Sequence, residues 1–313
     1  MDQISFLVPT YNVGILLDRC LEYLVNQTYK NFEIVIVDGG SKAETFDIIK
    51  RYRNQYDNVH VFQSNGKGVS AARNMLLDKA QGNYIMFVDA DDYIEKEACE
   101  KMMELMKKEN CDIVSCGYTM DYKHFKLRRN ICGDGTMTGI EAIRSLASNS
   151  GFNNYLWGKL FKKECWQGVR FPTELNSFED TVTIFKAIAK AEKIGNLSNR
   201  FYHYVQREGS LTSHMSLDTT YKMRDAYVYQ ERKLREMYPQ ENFDFNTHYY
   251  NMDLYILYTI ISTCDRKKQN VFVASSLDWN DFKGYQRAFY KLCLGVAKAK
   301  LGKTLKVEGL ADD

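Results

Sequence analysis

Three carboxylates close the apolar stretch "NYIMFVDADDYIEKE" at residues 83–97: Asp89, Asp91 and Asp92, with only Ala90 among them. Like charges this close repel, and keeping them together is costly unless a cation or donor hydrogen bonds offset the charge. Hard oxygen ligands suit Mg²⁺ or Mn²⁺. Mg²⁺ takes only one or two protein carboxylates and draws the rest of its shell from water and substrate phosphates. The chemistry this cluster suggests is therefore a divalent cation holding a diphosphate. The same residues also fit an acidic helix start, in which Asp92 caps and Glu95 closes a capping box. That explanation leaves Asp89 without a role.

Basic residues offer a second anion contact. In "NGKGVSAARN" (65–74), Lys67 and Arg73 flank a helix start, and Gly66 and Gly68 would let backbone amides approach an anion. A solvated helix start whose glycines serve a turn is the alternative. The histidines His60, His124, His203 and His248 belong to no constellation.

The elements that must position these groups alternate in type. "ISFLVPTYN", "FEIVIVDGGS", "NVHVFQS", "NYIMFVDAD" and "CDIVSCGY" read as strands. Between them, "GILLDRCLEYLVNQ", "FDIIKRYRNQY", "GVSAARNMLLDKAQ" and "KEACEKMMELMKK" carry helical spacing. Such alternation predicts an α/β fold, Rossmann-like, with a mostly parallel sheet flanked by helices on both faces. Ligands bind such sheets beyond the carboxyl ends of the strands. The polar groups there are Tyr11 with Asn12, Asp38 with Gly39, Gly40 and Ser41, and the Asp89 cluster.

Beyond about residue 215 the strand pattern stops. Helical patterns dominate, and the expected division is 1–215 for an α/β domain and 216–313 for a helical appendage. Residues 283–306 carry Lys283, Arg287, Lys291, Lys298, Lys300, Lys303 and Lys306 and no acid, beside an apolar series of Tyr285, Ala288, Phe289, Leu292, Val296 and Ala299. Two readings stand: peripheral contact with an anionic membrane, or a helix packed on the protein.

Composition narrows the partners. With 42 Lys+Arg against 40 Asp+Glu in 313 residues, nothing global marks a nucleic-acid binder. The eight cysteines form no C-x-x-C pair, which fits a reduced, cytoplasmic compartment. No stretch reaches the ~20 apolar residues needed to span a bilayer.

The ordered set "VPTYN" (8–12), "VDGGS" (37–41), "GKGVSAARN" (66–74), "GNYIMFVDADD" (82–92) and "FEDTVTIFKA" (178–187) resembles the family 2 glycosyltransferases of GT-A fold, over roughly residues 1–215. The resemblance implies inverting transfer of a sugar from a nucleotide-diphosphate donor to a saccharide or lipid-linked acceptor, with Mn²⁺ or Mg²⁺. By position it places Pro9, Tyr11, Asn12 and Asp38 at the base and ribose, Asp89 with Ala90 at the ribose, and Asp91 on the metal and diphosphate. Lys67, Arg73 and Arg207 fall among donor contacts, Asp180 where the family has its base, and Glu179 as its support. A capping acid is the alternative for Asp180. Trp157 could stack on an acceptor ring or belong to the core, and Ser210 and His214 fall near the diphosphate and metal.

This chain also departs from the pattern. Gly39 stands where relatives commonly place a second, base-contacting acid, and "SKAET" replaces a serine, any residue and aspartate. The Q-x-x-R-W pattern of processive relatives is absent, for Gln206 and Arg207 are adjacent, so single additions are expected, most simply from a UDP-sugar in a bacterial surface-polysaccharide or glycoconjugate pathway at the inner membrane face. A noncatalytic subunit that binds nucleotide or scaffolds a partner transferase is the alternative. Retention of Asp89, Asp91 and Asp180 together speaks against it.

Overall fold

The computed structural model describes residues 2–309 apart from Asn65, Lys67, 130–132, Asn176, 208–215 and 264–269. They form two compact units, Met1–Leu146 with Gly151–Glu208, and Ala147–Ser150 with Gly209–Asp313.

The first unit runs β1 (Ile4–Thr10), α1 (Leu16–Val25), β2 (Phe32–Asp38), α2 (Ala43–Gln55), β3 (Val59–Gln63), α3 (Val69–Lys79), β4 (Tyr84–Phe87), β5 (Tyr93–Ile94) and α4 (Ala98–Lys108). There follow β6 (Ile113–Asp121), β7 (Lys126–Arg129), β8 (Gly135–Thr138), α5 (Gly139–Ala147), β9 (Lys159–Lys162), α6 (Ile184–Ile188) and β10 (Lys193–Val205). All seven residues of β2 are buried, as in a strand covered on both faces; its one acid before the strand end, Glu33, is hydrogen-bonded by the Ser5 hydroxyl. α1 buries Leu17, Cys20, Leu21 and Leu24, the 3-4 spacing of one helical face.

Among the described residues these strands make one ten-stranded sheet, with the main order β3-β2-β1-β4-β9-β6-β10-β5 and β7 and β8 paired to its second half. The first four in that order are parallel. β9 then lies antiparallel to both β4 and β6, which returns β6 and its parallel neighbour β10 to the direction of β4. The carboxyl ends of β1, β2, β4, β6 and β10 thus share one edge. That edge carries the polar groups singled out above.

The second unit holds α7 (Leu217–Met237), α8 (Asn246–Thr263), β11 (Asn270–Val273), α9 (Gly284–Leu301) and β12 (Leu305–Glu308). Helical spacing predicts the three helices. It misses β11 and β12, four-residue strands that pair in parallel across α9 and are too short to show a period of their own. Ile256, Leu257, Ile260, Phe272, Tyr290 and Leu294 are among this unit's core residues.

Candidate active site

Asp89 follows β4, and the chain turns at once, with the Asp92 amide donating to the Asp89 carbonyl at 3.0 Å. Tyr202 of β10 holds this turn from beneath: its hydroxyl accepts the Asp89 N–H at 3.2 Å and donates to Asp92 Oδ2 at 2.7 Å. The Val205 N–H donates to Asp92 Oδ1 at 2.8 Å. Asp92 is completely buried, and burial, followed by the charges of Asp89 and Asp91, pushes its carboxyl well above the usual range. The helix-start reading of Asp92 is therefore corrected. The next helix begins only at Ala98, after Glu97, and Asp92 anchors the loop that aims Asp89.

Arg73 is the centre of the cluster. α3 opens after Gly68, whose φ of 87° favours glycine, and turns Arg73 into the protein, 8% exposed. Its guanidinium is paired with Glu179 and stands 3.5 Å from Asp89 Oδ1. One cation thus answers several acids. Burial pushes Asp89 up to about 6; Arg73 opposes the shift, while the charges of Asp91 and Glu179 add to it. Asp180 is also pushed up to about 6, by burial first and Glu179 next, against Arg73 and the Thr181 amide.

That amide donates to Asp180 Oδ1 at 2.7 Å. α6 begins at Ile184 with Thr183 at its N-cap, three residues after the cap position that the sequence offers at Asp180. The Asp180 carbonyl, not its carboxylate, accepts from Thr183 and Ile184. The capping explanation for the Asp180 side chain does not hold.

Asp91 lies at the mouth, where Arg207, just past the end of β10, donates Nε–H to its Oδ2 at 2.8 Å. Arg19 of α1 donates to the Asp91 carbonyl at 3.2 Å and lies 4.7 Å from the Tyr93 ring centre. Ala90 is 3% exposed, so only its backbone can face a ligand.

At the ends of β1 and β2 the picture differs. Asp38 is buried and accepts from the Ser41 hydroxyl at 2.5 Å and the Ser41 amide at 3.1 Å. Asn12, at φ 48°, accepts the Lys42 amide at 2.9 Å. Both side chains therefore shape the loop after β2. Pro9 is half-buried. Tyr11 is 64% exposed, and its ring would lie 3.3 Å from a Cβ placed on Gly39. A larger residue at Gly39 would displace that ring.

Trp157 belongs to the core. It is 5% exposed and stacks on Tyr155 and Tyr202 at 4.3 and 4.4 Å between ring centres, leaving too little surface for a sugar. Lys67, Ser210 and His214 lie outside the described residues. His203 sits between Glu95 at 2.8 Å and Asp121 at 3.3 Å, under the Tyr93 ring. Sequence reasoning missed Tyr202 and Arg19. Their signals were a tyrosine on a buried strand, whose hydroxyl needs a partner, and an arginine among the leucines of α1.

The arrangement defines a GT-A fold with an acidic crevice at the strand ends, and the chain belongs to glycosyl transferase family 2. The description of that family, "Glycosyl transferase family 2", matches residues 5–157. Over 218 residues the chain is 30% identical to glycosyltransferase GlyG of Streptococcus pneumoniae, an alignment covering 66% of this chain and 72% of GlyG. It is 30% identical over 226 residues to the cholesterol galactosyltransferase of Borreliella burgdorferi, covering 69% of this chain and 63% of that protein. Glycosyltransferase GlyA of Streptococcus pneumoniae is longer still: the chain is 31% identical to it and spans 32% of its length. In fold, it resembles the crystal structure of Staphylococcus aureus TarS 1–349 in complex with UDP-GlcNAc, at TM-score 0.60 and 23% identity over 97% of this chain and 82% of that one.

Proposed function

We propose that the protein is an inverting glycosyltransferase that moves one sugar from a UDP-sugar to a hydroxyl of a saccharide or lipid-linked acceptor, with Asp180 as base. The observation that carries this reading is the single guanidinium of Arg73 set among Asp89, Glu179 and Asp180. Asp180, at about 6, is ionised at neutral pH and basic enough to take a proton as the acceptor oxygen attacks C1. The bond from C1 to the diphosphate oxygen breaks as the new one forms, and the nucleoside diphosphate leaves from the opposite face. Glu179 holds Arg73, and Arg73 holds Asp89 toward the ribose. The exposed Tyr11 ring offers the base a stacking surface beside Gly39.

Among the described residues no three His, Cys, Asp or Glu side chains gather as a metal cage. The donor set instead suits a Mg²⁺ or Mn²⁺ ion held by Asp91, with Asp89 beside it, and otherwise by diphosphate and water. Such an ion, held there, would supply positive charge to the diphosphate oxygens. Arg207, now on Asp91, is the second cation within reach of it. The described cysteines are free, and all but the half-buried Cys293 are buried, which supports a reducing, cytoplasmic compartment. No helix among the described residues is long and apolar enough to cross a membrane.

Calorimetric titration of UDP and then GDP, with and without Mn²⁺, tests the donor site. Metal-dependent UDP binding that Asp91→Ala abolishes is expected. Binding of neither nucleotide would replace this reading with that of a noncatalytic scaffold subunit.

A further inference from the structure

The faces of α9 differ in character. Tyr290, Leu294, Ala297 and Leu301 point into the core of their own unit. At about 100° per residue, Tyr285, Phe289, Leu292 and Val296 form a stripe on the far side, where they are 68%, 52%, 62% and 45% exposed. The apolar series visible in the sequence is thus the solvent face and not the packing face. Lys300 borders it on one side, its ammonium donating to the Ile261 carbonyl; on the other side the exposed Ala288 and Ala299 lead to Lys291 and Lys298, and Arg287 lies next to the packed face. Residues 283–306 hold seven Lys and Arg and no acid.

We propose that this face of α9 docks on an anionic lipid bilayer. An interfacial helix needs an apolar stripe to sink to the acyl boundary and flanking cations to meet headgroup phosphates, and α9 supplies both. Tyr285, the most exposed of the four, is the amphipathic ring suited to headgroup depth. The charge also argues against a second copy of the chain as occupant. A two-fold contact sets like patch on like patch, and residues 283–306 bring cations and no acid to such a contact. The helix lies on the membrane without crossing it, and the inference stands whether or not the protein transfers sugar.

The test is co-sedimentation of the full chain with vesicles of phosphatidylglycerol and phosphatidylcholine, set against phosphatidylcholine alone. Binding to the anionic vesicles that weakens with salt is expected. Replacing Lys291, Lys298 and Lys303 together by Gln lowers the affinity about a hundredfold, at about tenfold per 1.4 kcal/mol and roughly 1 kcal/mol per cation. Phe289→Ser with Leu292→Ser, both at exposed positions, lowers it further while leaving the circular dichroism spectrum unchanged. Equal binding to neutral vesicles, or no binding to either, overturns the proposal. So does a lipid-free dimer, seen by sedimentation velocity, that Leu292→Ser dissociates.

Discussion

Asp180 in the first unit and Asp253 in the second are both acids lifted above the usual carboxylate range by burial, yet their surroundings are opposite. Asp253 is fully buried on α8, and each of its oxygens is met by donors: the Ser275 amide at 2.8 Å and hydroxyl at 2.7 Å, and the Tyr290 hydroxyl at 2.8 Å. Arg224 stands 3.7 Å away. Asp180 is met by its own neighbour Thr181, the amide at 2.7 Å and the hydroxyl at 3.4 Å, and shares the Arg73 charge with two other acids. An acid satisfied from several fixed elements ties a core together. One left short of donors among like charges is ready to bind a proton, which is what a base must do.

The largest effect expected from this contrast is on turnover. Asp180→Asn should reduce sugar transfer by about 10²–10⁴-fold while raising the melting temperature, because it removes a charge the folded state holds at a disadvantage. Transfer assays beside thermal unfolding check both halves. A variant that loses activity and stability together would make Asp180 a structural acid like Asp253.

Asp253→Ala is the converse and the next in size. It strips the partner from Arg224, Ser275 and Tyr290 at once, and breaking a buried charged network costs about 3–5 kcal/mol. Urea unfolding measures this. The second unit should lose stability while nucleotide binding by the first, measured below the transition, is kept. Unchanged stability would mean that water satisfies those donors as well as Asp253 does.

The acids themselves were legible in the sequence, and the reasons for their behaviour were not. Asp89 and Asp91 stand at the end of an apolar strand, a position that local pattern fixes. Asp92 is one residue from Asp91 and identical in type. Only Tyr202 and Val205, more than a hundred residues on, turn it from a surface acid into a buried anchor. The parallel strands β1 to β4 could be read because each is a short run rich in β-branched and aromatic residues. β9 could not, since "KLFK" is four residues long and its antiparallel placement depends on β4 and β6. On α9 the periodicity was visible, but two apolar faces compete on one helix, and packing within the second unit decides which is covered.

The smallest effect concerns pH. Asp180 must be ionised to accept a proton, so transfer should fall about tenfold per unit as pH drops below about 6. Asp89 is raised to about 6 as well, so this limb belongs to the interacting pair and not to either residue alone. Stability runs the other way. A carboxylate with a folded value raised from 3.8 to about 6 binds a proton in the folded state before the unfolded chain does. Its contribution to stability therefore increases as pH falls from 7 toward 4 and is lost as pH rises through about 6. Asparagine mimics the protonated acid, so the extra melting temperature of Asp180→Asn should be greatest at pH 8 and vanish near pH 4. Melting curves of the two proteins across that range decide the matter. A gap that stays constant with pH would show that Asp180 does not titrate where its surroundings place it, and the acid limb of the rate would then need another owner.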